Sequence, residues 1–565
     1  MSRSPRSCLH LSVNRLLNTS PTRERGLRLH RTVGPRLRVG LVSVFGLLTF
    51  GFLAVSSAKA DDVRNLAARI DKHLETRWKS DEVTPAERSD DAEFLRRVSL
   101  HIGGTIPPVS EARRFLRDES PDKREKLVNA LLNGPQYLTN FSHFWRRVMM
   151  PEGNTDLQAR AQLPGFEAWL RQHLAKNTHY DALVKELLTV PLDTGRAMNS
   201  PFDGAGNVSP LPFYQAKQIK PENLASATSR MFLGLRIECA QCHDHPTDTW
   251  KRQQFWGYAA FFAGIERVDR NEEFVGRVKE VFDRRELTIP EVDQVVQATL
   301  LDGTSPQWRT RVSSRRELAD WTTSKKNPFF AKATVNRMWG HFFGVGIVDP
   351  VDDFTATNKP SHPELLDELA ADFAAHDFDL KYLIRAITST KAYQLTSRKS
   401  HDTQDQPQQF ARMTVQGLTG EQLFDSLAVA VGFFEPTQQQ NVFAFNQSGP
   451  RAEFLELFAP DNNSTTERQT SILQALALMN GQFTSTATNL ESSATLAAVT
   501  EFPLMKDAAK IETLYLAALT RKPRPEELDR LTKYVESGGP SKNQKAALAD
   551  VFWALLNSSE FLFNH

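Results

Sequence analysis

The chain has 565 residues, with 69 Lys+Arg, 67 Asp+Glu and 3 Cys. At roughly 150 residues per domain, this is about two to four domains. A composition of 40% hydrophobic and 24% charged residues excludes wholesale disorder, a collagen and a polytopic membrane protein. The net charge of +2 conceals an asymmetry: residues 1–60 carry ten Lys/Arg and one acid, leaving 59 basic and 66 acidic residues, net −7, in the remainder. That remainder has no electrostatic footprint for nucleic acid.

Arg36 and Arg38 precede an apolar run from Val39 to Val55, followed by Ser56-Ser57-Ala58-Lys59-Ala60 and Asp61-Asp62. A charged region, an apolar core and an A-x-A site are the pattern of a secretory signal peptide over 1–60. Seventeen apolar-rich residues broken by Gly46 and Gly51 are marginal for a membrane span. The mature chain is therefore expected to be periplasmic or secreted, with no transmembrane span unless this segment is retained. No Arg-Arg pair marks the twin-arginine route. Cys8 falls in the removed segment, leaving Cys239 and Cys242 in a compartment where thiols can oxidise.

From 61 to 264 the pattern is helical. Phe94, Leu95, Val98 and Leu100 punctuate the charges of 92–100, and amphipathic spacing continues over Val109–Leu116 and Lys123–Leu132. Pro107-Pro108, Gly134-Pro135 and Pro151-Glu152-Gly153 interrupt it, and 191–212 reads as a loop. Pro221 opens a helix predicted to run up to Cys239, and Trp250–Ala263 is a further helix with Phe255, Tyr258 and Phe262 on one face. Residues 265–312 alternate weakly and read as a connector, partly β. From 313 to 565 the chain is helical again. Ser361-His362-Pro363-Glu364 and Thr466-Glu467-Arg468-Gln469 read as capping boxes, and Pro525 and Gly538 bracket another helix. The predicted class is mainly α: two helical domains joined by a short strand-containing connector. Leu131-Leu132-Asn133 and Leu555-Leu556-Asn557, each followed by an aromatic residue, are an internal echo. It fits a duplicated helical unit or a common helix ending.

The chemistry-bearing segment is Cys239-Ala240-Gln241-Cys242-His243-Asp244-His245-Pro246. Cys-x-x-Cys-His is the covalent haem attachment motif. Two sulfurs on one turn can form thioethers to the two vinyl groups of a porphyrin, and the adjacent imidazole of His243 is an axial iron ligand. Both cysteines outside the signal segment fall in this one unit. Cys239, Cys242 and His243 are thus the candidate haem c site.

Three alternatives compete. Zinc or iron could be held by His243 and His245 with Cys239 and Cys242, although four ligands in seven residues crowd a tetrahedron; Asp244 or Asp248 could then orient an imidazole. A Cys239–Cys242 disulfide would close only a small loop and stabilise little. A thioredoxin-like thiol pair lacks a surrounding βαβ pattern. For a haem, the sixth ligand candidates are Met231, His143, Met149 and Met150, or the position is open; His245 is too near in sequence to reach the opposite face.

Asp349, Asp352 and Asp353 could bind a hard cation such as calcium, but read more simply as a solvated acidic loop. His341, between Trp339 and Phe342, reads as a packed helix histidine, and His362 as part of a helix start. Arg337 is expected to pair with Asp352 or Asp353. There is no Gly-x-Ser-x-Gly elbow, Walker A loop or Gly-x-Gly-x-x-Gly fingerprint, which disfavours a serine hydrolase, an NTPase and a dinucleotide enzyme.

Arg230-Met231-Phe232-Leu233-Gly234 followed by Cys239 to Pro246 and Trp250 resembles the planctomycete-type cytochrome-c-like domain. So do Glu93-Phe94-Leu95-Arg96-Arg97 with Ile106-Pro107, and Ser120-Pro121-Asp122-Lys123-Arg124 with Leu131-Leu132. The second half resembles the planctomycete-specific C-terminal domain that usually follows it. Its marks are Asn327-Pro328-Phe329-Phe330-Ala331, Val335-Asn336-Arg337-Met338-Trp339, Phe343-Gly344-Val345-Gly346, Asp352-Asp353-Phe354 and Ser361 to Leu366. Both are catalogued as domains of unknown function, so the resemblance implies a secreted protein of a planctomycete-like bacterium and little chemistry. His101-Ile102-Gly103-Gly104 stands where that pattern has an Asp-containing turn. The resulting expectation is an exported c-type-cytochrome-like protein, with electron transfer or haem-based redox chemistry and a redox or envelope protein partner. An extracytoplasmic metalloprotein and a non-catalytic envelope protein stand as alternatives.

Overall fold

The computed structural model describes residues 43–192, 208–267, 278–433, 449–457, 489, 490 and 492–565, with side chains from residue 61 onward except Leu157. Residues 1–58 and 59–565 are separate compact units. Helix α1 spans Ser43–Ser80, through the expected cleavage site. Among the described residues no helix is long and apolar enough to cross a membrane.

The second unit is mainly α, as expected. In α1, Leu66, Ile70, Leu74 and Trp78 recur every fourth position and are buried, forming one apolar stripe. The buried Asp71 carboxylate accepts the backbone N–H of Lys391 at 2.8 Å, and Arg69 Nη1 meets Glu368 at 2.8 Å. The part of α1 that carries Arg69 and Asp71 is thereby fastened to the later half of the chain. Helix α2 (Asp91–Val98) starts where the Asp90 side chain accepts the Glu93 N–H at 2.8 Å. It widens into a π turn over Ser99–Gly103 and stops at Gly104, in the left-handed region at φ +74. Helices α3 (Val109–Arg117), α4 (Lys123–Leu132), α5 (Pro135–Met149), α6 (Leu157–Ala175) and α7 (Tyr180–Thr189) follow. Then come α8 (Pro212–Ala216), α9 (Pro221–Thr228) and α10 (Arg252–Ala259).

The connector is β in part, as predicted. Strands β1 (Ile265–Arg267) and β2 (Val278–Glu280) pair antiparallel, as do β3 (Glu286–Ile289) and β4 (Gln294–Gln297). It is locked by α11 (Ser314–Thr322), whose buried Arg315 meets Glu280 at 2.5 Å and donates to the carbonyls of Leu188 and Val190.

Helix α12 (Phe330–Phe343) buries every residue except Lys332. A helix buried on every side belongs at the centre of a fold, its polar Asn336, Arg337 and His341 each hydrogen-bonded to backbone carbonyls, and the main apolar cluster runs from Leu66 through Trp145, Tyr180 and Trp339 to Leu516. Tyr180 stacks on Trp145 on one side and on Phe330 on the other, so both helical regions share this core. His341 is buried there, bonded through Nε2 to the His101 carbonyl at 3.0 Å, which matches its reading as a packed histidine.

Helix α13 (Pro363–Ala375) begins with Pro at its first turn, but the predicted capping box does not form. His362 is the N-cap and makes no side-chain cap bond; Ser361 Oγ turns instead to the Ile347 carbonyl, 3.1 Å away. Helices α14 (Leu380–Ser389), α15 (Gly420–Val431) and α16 (Pro450–Leu457) follow. A capping box not read from sequence, Thr419 with Gln422, opens α15. The predicted box at 466–469 lies outside the described residues.

The remaining helices are α17 (Ala494–Glu501), α18 (Asp507–Leu519), α19 (Pro525–Glu536), α20 (Gln544–Leu556) and α21 (Ser559–Leu562). They build a second apolar cluster with α15, which Leu100 and Ile106 enter from the first half. Strands β5 (Gln416–Gly417) and β6 (Phe563–Asn564) pair beside it. The Leu-Leu-Asn echo has a structural counterpart: Asn133 and Asn557 each cap one helix and lead directly into another.

Candidate functional site

The Cys-x-x-Cys-His segment hangs between α9 and α10. Helix α9 continues as a π turn over Ser229–Leu233 and then ends, so the helix predicted to reach Cys239 stops short of it. The cause is Gly234, at φ +69. A Cβ there would meet Phe354 Cδ2 at 2.5 Å, and the Gly234 carbonyl accepts the Phe354 N–H at 2.9 Å. The segment is then anchored by charge. Asp352 accepts Arg230 Nε at 2.6 Å and Arg236 Nη2 at 2.7 Å. Burial alone would raise the Asp352 pKa, but the surrounding Arg230, Arg337 and Arg236 hold it below the usual carboxylate range. Asp352 is therefore a buried anchor and not part of a solvated acidic loop. The expected Arg337 pairing is also corrected: Arg337 donates to the backbone carbonyl of Met231 at 2.5 Å.

Cys239 lies on a short 3-10 turn, Glu238–Gln241, and Cys242 caps its end. Ala240 is buried beneath them, while both cysteines are exposed free thiols. The carbonyl between them, of Gln241, accepts Trp256 Nε1 at 3.0 Å and Arg252 Nε at 3.3 Å. Arg252 also donates its backbone N–H to Asp244 Oδ1 at 3.0 Å and its Nη2 to the Pro290 carbonyl at 2.8 Å. This turn is thus held from below and points its sulfurs outward.

The two imidazoles differ. His243 is exposed, and its Nδ1 lies 2.7 Å from the Asp244 carbonyl oxygen. A carbonyl only accepts, so Nδ1 carries the proton and Nε2 presents a lone pair. His245 is the opposite case. Its Nδ1 accepts the Thr247 N–H at 3.3 Å, which puts the neutral ring's proton on Nε2. The expected carboxylate orientation is not found: Asp244 binds Lys251 and the Arg252 backbone, and Asp248 caps the Thr249 N–H at 2.7 Å. It is the backbone carbonyl of Asp244 that orients His243. Among the described residues no three His, Cys, Asp or Glu side chains form a group that could hold a metal ion.

The four candidates for an opposite ligand lie inside the fold. Met149, Met150 and Met231 belong to the main apolar cluster. His143, on α5, sits in a partly buried ionic cluster that sequence reasoning missed. Its Nε2 is 3.7 Å from Glu167, Arg146 meets Glu167 at 3.0 Å and Glu421 at 2.9 Å, and Arg147 meets Glu421 at 3.4 Å. Asp425 pairs with Arg451 beside them. Burial drives the His143 pKa down to about 3, with Arg146 and Arg147 adding to the effect and Glu421 opposing it. Burial would raise the Glu421 pKa, but Arg147, Arg146 and His143 outweigh it and hold it at about 2. A cavity of about 10 Å³ opens here, room for a single water. The one sequence signal was the Arg146-Arg147 pair inside an otherwise aromatic helix.

The fold and site define a mainly α protein with an exposed, backbone-braced Cys-x-x-Cys-His turn. Residues 69–267 match a family model described as PSCyt2, a protein of unknown function (DUF1549), and residues 314–535 match PSD1, a protein of unknown function (DUF1553). The chain therefore pairs two domains of unknown function. No curated protein and no solved structure matches it.

Proposed function

We propose that this is an exported c-type-cytochrome-like protein. Cys239 and Cys242 would hold haem through two thioethers, each formed by addition of a thiol S–H across a vinyl group, and His243 Nε2 would ligate the iron. The observation that carries this reading is the bond from His243 Nδ1 to the Asp244 carbonyl, 2.7 Å, beside two exposed free thiols. It sets the tautomer that iron ligation needs and orients the ring, the usual role of a partner behind a ligating imidazole. A haem tether asks only that two sulfurs and one nitrogen face outward. A tetrahedral zinc or iron site asks that four donors converge, and the His245 Nδ1 is already occupied by Thr247. When bound, haem supplies one-electron chemistry, and the partner is a redox or envelope protein outside the cytoplasm.

The test is a pyridine haemochrome spectrum of the full chain, made in a host with haem-ligation machinery. A thioether-type spectrum at one haem per chain, lost in Cys239→Ala/Cys242→Ala, is expected. Colourless wild-type protein, or haem retained by the double variant, overturns the proposal. Zinc or non-haem iron in the same sample would favour the metalloprotein reading.

A further inference from the structure

A cleft of about 330 Å³ opens far from the cysteine turn in the chain, where α2, the segment around Ser397–Arg398, the α18–α19 turn and the β6 segment meet. None of its lining residues belongs to residues 230–256. Its volume is at the small end of the range for ligand pockets.

The walls are built from buried interactions. Arg96, wholly buried, donates to the carbonyls of Ala518, Phe561 and Phe563. Arg97 donates to those of Tyr393, Leu395 and His565. Strand β5 pairs with β6 alongside. These bonds hold the segment before and through β6 in place.

The charges sort into committed and uncommitted ones. Glu93 is taken by Arg97 at 2.6 Å, by Thr396 Oγ1 at 2.7 Å and by the Ser397 N–H at 2.7 Å. Arg521 lies between Glu527 and Glu560, at 2.8 and 2.5 Å. Asp90 caps α2. His565, Arg398 and Arg524 remain among the lining residues; the two arginines are exposed, and among the described residues neither has an Asp or Glu carboxylate within ion-pair distance, Glu527 acting on Arg524 only at longer range. Apolar surface stands beside them, from Leu519, Phe563 and Val415, the last 52% exposed. Two guanidinium forks without a direct ion pair, next to apolar surface, suit a planar or tetrahedral oxyanion on an apolar body.

We propose that this cleft binds a small organic anion, a carboxylate or phosphate monoester with an apolar body, whose oxyanion is taken by Arg398 and Arg524. The inference does not depend on haem binding.

The test is calorimetric titration of the full chain with benzoate, phenyl phosphate and the neutral benzyl alcohol. Millimolar or tighter binding of at least one anion is expected, with no binding of the alcohol. Binding of benzoate alone assigns a carboxylate ligand, and of phenyl phosphate alone a phosphoryl ligand. In Arg398→Gln/Arg524→Gln the affinity should fall roughly tenfold or more, with an unchanged melting temperature because both side chains are exposed. Arg398→Lys/Arg524→Lys should recover part of it, since charge returns without the fork. Failure of both anions to bind, equal binding of the alcohol, or undiminished affinity in the Gln variant overturns the proposal.

Discussion

Arg96 on α2 donates from Nη2 to the carbonyl oxygen of Phe561, 2.7 Å away and 465 positions later in the chain. Its side chain is fully buried, and burial lowers its pKa to about 10, so it stays charged at neutral pH. The charge is satisfied by carbonyl dipoles from Ala518, Phe561 and Phe563. Replacing it with Met leaves those carbonyls without this donor. The expected cost is about 3 kcal/mol, read as a lower urea midpoint with an unchanged slope.

Asp352 holds the approach to the cysteine turn through Arg230 and Arg236. Asp352→Asn removes the charge that both guanidiniums contact directly, leaving Arg236 only the more distant Asp353 and Glu238. Because both arginines are about a third exposed, the loss should be moderate, about 2 kcal/mol. Hydrogen exchange checks it locally: the Leu235 amide, bonded to Ser229, should exchange faster than in wild type.

Gly234 combines a left-handed backbone with a Phe354 ring that leaves no room for a Cβ. Gly234→Ala should cost at least about 2 kcal/mol, from the positive φ plus displacement of Phe354. Gly303, also at positive φ but with open space where a Cβ would stand, is the control; its Ala variant should lose only about 1 kcal/mol. Thermal unfolding of the two variants side by side makes the comparison.

His143 makes stability depend on pH. Its pKa is about 3 in the fold against an ordinary 6.5, so between those values only the unfolded chain binds the proton. Stability is full above pH 6.5 and falls as pH drops toward 3. Glu421, held at about 2 against an ordinary 4.5, acts in the same direction: its contribution is present above pH 4.5 and is lost as pH falls toward 2. His143→Gln should remove one proton from this linkage. The decline of unfolding free energy in the upper window should become shallower by roughly 1.4 kcal/mol per pH unit, measured by urea unfolding at successive pH values.

Much was legible from residue order because it is local. Apolar spacing marked α2 through α4, proline marked the starts of α9, α13 and α19, and the weak alternation after 264 marked the strand-containing connector. The Cys-x-x-Cys-His unit needs no tertiary information to be seen. Local reasoning failed where a distant partner competed. Ser361 left its capping role for the Ile347 carbonyl, and Arg337 chose the Met231 carbonyl over an acid in the next loop.

By itself, the order of residues determined the helical class, the placement of the connector and the octapeptide with its three candidate haem-binding groups, since each depends on spacings of a few residues. Only the tertiary structure decided which histidine nitrogen is available, that Asp352 is an anchor, that His143 lies among arginines and glutamates, and that Arg398 and Arg524 share a cleft. Those facts depend on which carbonyls and charges arrive from hundreds of positions away, and packing alone brings them together.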